Sequence, residues 1–461
     1  MKTQSKKYEI DMCNGPLFGK IVIFTLPLMA SGILQLLFNA ADMIVVGRWV
    51  GNDALAAVGS TGALINLLVN VFLGLSIGTN VLVARFFGAG RKKELEEMVH
   101  TSILTAAICG VALIFIGFFA APKILLIMGA PREVLSQSVL YVRIYFLAMP
   151  VMMIYNFGAA ILRAVGDTKR PLYFLTIAGV INVILNILFV IGFHMGVAGV
   201  AIPSVISQTV SAVLVIICLV KTDAAYQLSL KKLKIYKDKL FIMMKIGLPA
   251  GLQGAIFSIS NVLIQSAVNS FGKVAMAGNS AAANLEGFVY TSMNTLHQTA
   301  VSFVGQNYGA HNFKRIKRIA WQCLMIVTAV GLLFGNLMYL CGPKLLTLYI
   351  NTSEATAAEA IGYGMRRLMF ICCPYFLCGV MDALVGCLRG MGKSVLPMIV
   401  SLTGACAFRV VWIYTVFSQH RSLDTLYVSY PISWAITASV HAGCLIYVYC
   451  KKSRKAMQAK S

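Results

Sequence analysis

The stretch Leu162-Arg163-Ala164-Val165-Gly166-Asp167-Thr168 returns as Leu388-Arg389-Gly390-Met391-Gly392-Lys393-Ser394, and Pro171 and Pro397 hold the same place after each. Two other landmarks recur at a similar offset. Leu26-Pro27 is matched by Leu248-Pro249, and Phe87-Gly88-Ala89 by Tyr308-Gly309-Ala310, with a basic stretch following each of the last two. An offset held across half a chain marks an internal repeat, and a repeat must be read before the fold is assigned.

The residues between these landmarks are apolar. Hydrophobic residues make up 59% of the chain and charged residues 12%, and the mean hydropathy is +0.80, a balance that excludes a soluble globular domain. A helix needs about 20 apolar residues to cross the hydrocarbon core. Such runs occur at 18–46, 54–86, 98–120, 134–163, 172–194, 197–220, 240–271, 275–308, 319–341, 358–388, 395–418 and 425–450. Several exceed a bare span, which predicts tilting or extension beyond the bilayer, with bends at internal Gly and Pro.

Six spans separate each landmark from its match, and six is even, so both halves enter the membrane from the same side. The expected fold is an all-α membrane protein of twelve transmembrane helices. They form two six-helix bundles, 1–220 and 240–461, related by a pseudo-two-fold axis along the membrane normal. The Lys-rich segment 221–239 reads as a solvated cytoplasmic linker.

A net charge of +23 would suit a nucleic-acid partner if it were clustered. It falls instead in alternate loops: Lys2, Lys6 and Lys7; Arg91, Lys92 and Lys93; Lys169 and Arg170; Lys231, Lys232 and Lys234; Lys314, Arg315, Lys317 and Arg318; Lys451, Lys452, Arg454 and Lys455. The positive-inside rule then places both termini in the cytoplasm, with the lipid bilayer as partner and no nucleic acid. The twelve Cys are scattered through apolar runs with no CxxC pair, so they read as buried small apolar residues in a chain without a zinc site. The basic N-terminus lacks a cleavable signal pattern, so targeting is expected to rest on the first span.

Two motifs mislead. Gly390-Met391-Gly392-Lys393-Ser394 resembles the end of a phosphate-binding loop, but Cys387 stands where the leading Gly belongs, so the string reads as a helix-ending turn. Gly74-Leu75-Ser76-Ile77-Gly78 matches a hydrolase nucleophile pattern inside a membrane helix, and His194, His297 and His441 lie in distant spans with no supporting motif. Glycines four apart there predict close helix approach, and no enzyme is expected.

Ionisable groups within spans cost about 2.5–3.5 kcal/mol at a helix centre, so each one needs a reason. Asp42 shares a helical face with Gln35 and Asn39, fifteen residues beyond Pro27, which predicts a bend. A buried carboxylate there can take up a proton or a desolvated cation. Asn182 and Asn186 in the fifth span, and Ser204 and Gln208 in the sixth, are each four apart and offer oxygens suited to Na+. They serve equally well as helix-to-helix hydrogen bonds. The repeat places Asp382 where the first half has Asn156, and with Glu286 and Arg409 it forms a rival site, the alternative being a structural ion pair of Arg409 with Asp382 or Glu286.

The order Leu26-Pro27, Gln35, Asn39, Asp42, then Gly88-Ala89-Gly90, Asn156, Leu162-Arg163, Gly166-Asp167-Thr168 and Gly305-Gln306-Asn307-Tyr308-Gly309-Ala310 resembles the multidrug and toxic compound extrusion (MATE) family over nearly the whole chain. The branch it most resembles includes the DinF-like bacterial exporters. The resemblance implies a V-shaped pair of bundles in a bacterial cytoplasmic membrane, alternating between outward- and inward-open forms. The expected activity is export of cationic or aromatic compounds against Na+ or H+ by a chain acting as a monomer, with no cofactor besides the coupling ion. It places cation coupling at Asp42, with Asn182, Asn186 and Ser204 beside it and Asp42 a possible Na+ ligand. It places the hinge at Pro27 and substrate contacts at Gln35, Asn39, Asn156 and Met29. Two departures stand out. Many relatives of this branch have an Asp at the place of Asn186, and another branch has a Glu in the seventh span, where Ser258 to Gln265 holds no acid. The alternative is a flippase for lipid-linked saccharides, which calls for several interior Arg or Lys.

Overall fold

A computed structural model describes residues 8–127, 132–350 and 356–458, and all regular structure in them is helical. The first half comprises α1 (Leu17–Trp49), α2 (Asn52–Gly88), α3 (Lys92–Ile127), α4 (Arg132–Leu147), α5 (Met149–Val165), α6 (Lys169–Ile187) and α7 (Ala198–Lys221). The second comprises α8 (Lys237–Asn269), α9 (Lys273–Gly309), α10 (Phe313–Leu346), α11 (Ala357–Arg367), α12 (Phe376–Gly390), α13 (Val395–Ser401), α14 (Phe408–Trp412) and α15 (Leu423–Gln458).

Among the described residues, nine helices are long and apolar enough to cross a membrane. The pairs α4/α5 and α11/α12, bent by 48° and 43°, add one span each. Each break carries a proline, Pro150 or Pro374, which removes a backbone donor and disrupts the hydrogen-bond ladder. The remaining span is α9, whose 37 residues include Asn279, Asn284, Ser292 and Thr295 and are polar enough to lower its hydropathy. Each of the twelve runs expected from the sequence falls on one of these helices or helix pairs, with ends that differ by up to eight residues.

The backbone repeats as the sequence does. Left-handed glycines precede α2 and α9 (Gly51, φ 119°; Gly272, φ 94°) and close α5 and α12 (Gly166, φ 104°; Gly392, φ 77°). In both closing turns the next residue donates back into the helix, Asp167 N to Leu162 O at 2.9 Å and Lys393 N to Leu388 O at 3.0 Å. The Gly-Lys-Ser string is therefore a helix cap of the Schellman kind. A third pair differs: Gly90 (φ 68°) is matched by His311 (φ 54°), a side-chain-bearing residue in the same left-handed conformation.

The glycines of the nucleophile-like string serve helix contact. A Cβ on Gly74 would collide with the backbone of Gly247 and Gly251 in α8, and one on Gly78 with the carbonyl of Met243. Ser76 spends its hydroxyl on Leu73 O of its own helix, at 2.7 Å. Packing divides the chain into two compact units. The first is Val22–Ala255 with the described residues up to Gly15; the second is Pro16–Ile21 with the described residues from Ile256 onward. The first unit thus runs past 221–239 to the middle of α8.

The segment 221–239 departs from the solvated connector expected of it. Tyr226 and Leu228 are buried, and the Tyr226 hydroxyl donates to Glu9 at 2.6 Å. Burial, and then the Glu9 bond, push the phenol above its usual range, which keeps it the donor. His100 donates through Nδ1 to Glu96 O at 2.7 Å and accepts at Nε2 from the amide of Ser229 at 3.1 Å, Tyr236 N donates to Thr101 Oγ1 at 3.1 Å, and Lys239 lies 3.5 Å from Glu97. Counting its lysines hides the apolar side chains that pin it down.

Candidate functional site

In the first unit, α6 carries Asn182 and Asn186 one turn apart, so both side chains leave the same face. Both are buried, and a wide π turn, Leu188–Gly192, follows directly. Asn186 Nδ2 donates to Asp42 Oδ1 at 2.5 Å and to Asn182 Oδ1 at 3.2 Å. Asn182 Nδ2 reaches Ser204 Oγ at 3.4 Å, and Ser204 donates to Val200 O at 3.0 Å. A chain of polar groups thus links α1, α6 and α7 and ends on the Asp42 carboxylate.

Two features leave this chain chemically open. Among the described residues no cation pairs with Asp42, and Asn186 Oδ1 is a buried oxygen without a hydrogen-bond partner. The phenols of Tyr141 and Tyr145, stacked with ring centroids 5.9 Å apart, lie within the field of Asp42. The chain carries one carboxylate, two amide oxygens and a hydroxyl, oxygen donors of the kind a hard monovalent cation takes. No group of three or more His, Cys, Asp or Glu that would hold a transition metal occurs among the described residues.

The other expected site residues stand apart from this chain. Gln35 and Asn39 are exposed along α1, and Met29 and Pro27 are half-buried. Asn156 donates to Met152 O of its own helix at 2.8 Å. Pro27 lies inside a helix that continues from Leu17 to Trp49, and Ser31 Oγ donates to its carbonyl at 2.8 Å.

In the second unit the alternative of an Arg409 ion pair fails, since Arg409 pairs with neither acid. Glu286 is held by Arg367, through Nε at 3.0 Å and Nη2 at 2.6 Å, and accepts from Tyr375 at 3.0 Å. Arg367 Nη1 also donates to Asn279 Oδ1 at 2.8 Å, which accepts from Tyr427 at 2.9 Å as well. Asp382 is hydrogen-bonded by Asn294 and Tyr290 and feels the charge of Arg389. Arg409 donates through Nε to Ser433 Oγ at 2.9 Å and stacks over Tyr430, 4.1 Å from its ring. Arg367 is the functional neighbour that sequence reading missed. It ends α11 at the break before a second π turn, Leu368–Cys372, and the run 358–388 was read as one span.

The fold and these interiors define an integral membrane protein built from two parallel six-helix repeats, the architecture of a class of secondary transporters. The MatE family model matches residues 27–188 and 249–415, one block in each half, and the chain belongs to that family. It is 29% identical over 439 residues to the probable multidrug resistance protein YoeA of Bacillus subtilis (strain 168), covering 93% of this chain and 94% of that protein. It is 22% identical over 403 residues to the multidrug export protein MepA of Staphylococcus aureus (strain NCTC 8325 / PS 47), covering 87% and 88%. Among solved structures it resembles a multidrug resistance MATE family transporter of the MOP superfamily in its outward-facing conformation. The TM-score is 0.89 at 22% identity, over 96% of this chain and 98% of that one. A MOP superfamily transporter from Pyrococcus furiosus gives a TM-score of 0.90 at 21% identity, with the same coverage. These structures share the twelve-helix, two-lobe fold.

Proposed function

We propose that this chain is a secondary active multidrug exporter of a bacterial cytoplasmic membrane, a transporter and not an enzyme. It exchanges cationic or aromatic small organic compounds for Na+ or H+ by alternating access. Both termini lie in the cytoplasm, as the alternate-loop charge supports, and the unit of function is the monomer. The reading rests on the family and on one observation: the Asp42 carboxylate ends a buried chain of Asn186, Asn182 and Ser204 without a paired cation.

An unpaired carboxylate in a low-dielectric interior is stabilised by whatever neutralises it. A proton does so directly. A sodium ion does so with Asp42 as anionic ligand and the oxygens of Asn182, Asn186 and Ser204 replacing part of its hydration shell, the Asn186 amide turning its free Oδ1 toward the ion. A cationic cargo competes for the same negative charge, so ion and cargo exclude each other and each favours a different conformation of α1. Pro27 is the hinge of that helix, and Gln35, Asn39, Asn156 and Met29 are the proposed cargo contacts.

The test is dye efflux from proteoliposomes under an imposed Na+ gradient or an imposed pH gradient, for the wild type and Asp42→Asn. The wild type is expected to respond to one gradient. The variant, inserted and folded as judged by its elution profile, is expected to respond to neither. Ion-driven efflux by the variant would overturn the assignment, and loss of dye binding with a retained lipid-linked saccharide phenotype would favour the flippase.

A further inference from the structure

Arg409 is the one buried arginine of the second unit, among the described residues, whose charge no acid balances. It lies mid-way along the eleventh span at 3% exposure, on the short α14 between two π segments, Leu402–Ala407 and Ile413–Phe417. π segments inside membrane helices mark functional positions more often than chance. The interior acids of this unit are already committed, Glu286 to Arg367 and Asp382 to Tyr290 and Asn294 within the field of Arg389. Glu359 is exposed and Asp424 lies by Arg366 at the start of α15. The aromatic faces of Tyr430 and Trp434, 4.1 and 5.5 Å away, favour a cation but carry no net charge.

The surroundings of Arg409 are rich in donors. Its Nη2 is buried without a hydrogen-bond partner, and so is the hydroxyl of Ser260 on α8, a residue 4% exposed. Cys406 stands one helical turn before Arg409 on the same span, and its thiol contacts Ser260 and feels the Arg409 charge. Cys378 lies in the same field. Two unsatisfied donors and two thiols around an unbalanced guanidinium have no use for a second cation, and each gains from one small anion.

We propose that the second unit binds a monovalent anion at Arg409 and Ser260, supplied as free halide or as the carboxylate of a zwitterionic cargo. This goes beyond the cation exchange assigned to Asp42, and its test does not depend on transport.

The purified full chain in neutral detergent is heated at fixed ionic strength in the sodium salts of gluconate, chloride, bromide, acetate and benzoate. With halide as the ligand, chloride and bromide raise the wild-type midpoint by about 1–2 °C over gluconate at tenfold excess over the dissociation constant. With a carboxylate as the ligand, acetate and benzoate do so instead. Arg409→Met is expected to lose the response while remaining as stable as wild type in gluconate. Ser260→Ala should shift the half-saturating concentration several-fold upward and serves if the first variant fails to fold. Asp42→Asn should keep the full response, so failure of the coupling assignment leaves this test intact. Equal wild-type midpoints in all five salts, or an undiminished response in Arg409→Met or Ser260→Ala, would overturn the proposal.

Discussion

At mirrored positions the two halves of the molecule have exchanged polar groups for apolar ones. Through the repeat, Asp42, Asn182 and Asn186 correspond to Ile264, Phe408 and Trp412. Ile264 is buried in the apolar core of its unit, and the rings of Phe408 and Trp412 lie 5.7 Å apart. In the other direction Asn279, Glu286 and Arg367 correspond to Val58, Ile65 and Tyr141, which pack in one hydrophobic cluster of the first unit. The scaffold is duplicated and the interiors are not. The first half holds an acid with no cation beside it among the described residues; the second holds an acid locked to an arginine.

The sharpest way to break this comparison is to neutralise each acid. Asp42→Asn should reduce ion-driven efflux to the level of empty liposomes while the melting temperature changes little. Glu286→Gln should keep the gradient response of whatever protein folds but cost about 3 kcal/mol, because Arg367 is left buried and unpaired. Glu286→Gln combined with Arg367→Gln should cost less than Glu286→Gln alone, measured as a double-mutant cycle in denaturant. If Glu286→Gln uncouples and Asp42→Asn does not, the roles of the halves are reversed.

A second contrast concerns helix contact. Gly74 sits against the α8 backbone, whereas its counterpart Thr295 bonds Ser292 O of its own helix at 2.7 Å. Gly74→Val should cost at least about 2 kcal/mol by forcing the backbones apart, and Thr295→Val about 1 kcal/mol or less. Thermal unfolding of the purified variants checks both. The smallest effect is at the third pair of turns: His311→Gly should stabilise by about 1 kcal/mol by relieving a left-handed side-chain-bearing residue, while Gly90→Ala should cost a similar amount.

The scaffold was legible because its signals are local or periodic. Apolar runs of span length, the proline and glycine landmarks and their offset locate all twelve spans without any tertiary information. The pairing of Asn182 with Asn186 was legible from i, i+4 spacing in a span with few polar residues, while their grouping with Asp42 and Ser204 was implied only by the family resemblance. The partner of Glu286 was not legible. Arg367 lies 81 residues away on another helix, and the spacing of residues along one helix does not say which distant helix it meets. The anchoring of 221–239 was hidden differently, because Tyr226 and Leu228 stand singly among lysines and form no pattern.

That residue 186 is an amide and not an acid bears on the energetics of the proposed exchange. In the exchange proposed above, with one carboxylate at the end of the polar chain, one monovalent ion would replace one monovalent cationic cargo and no net charge would cross the bilayer. Membrane voltage then does no work on the cycle, whereas each extra charge moved would gain about 2.3 kcal/mol per 100 mV. The steepest cargo gradient such a pump sustains equals the concentration ratio of its driving ion, so equalising that ion on both sides stalls it at any potential.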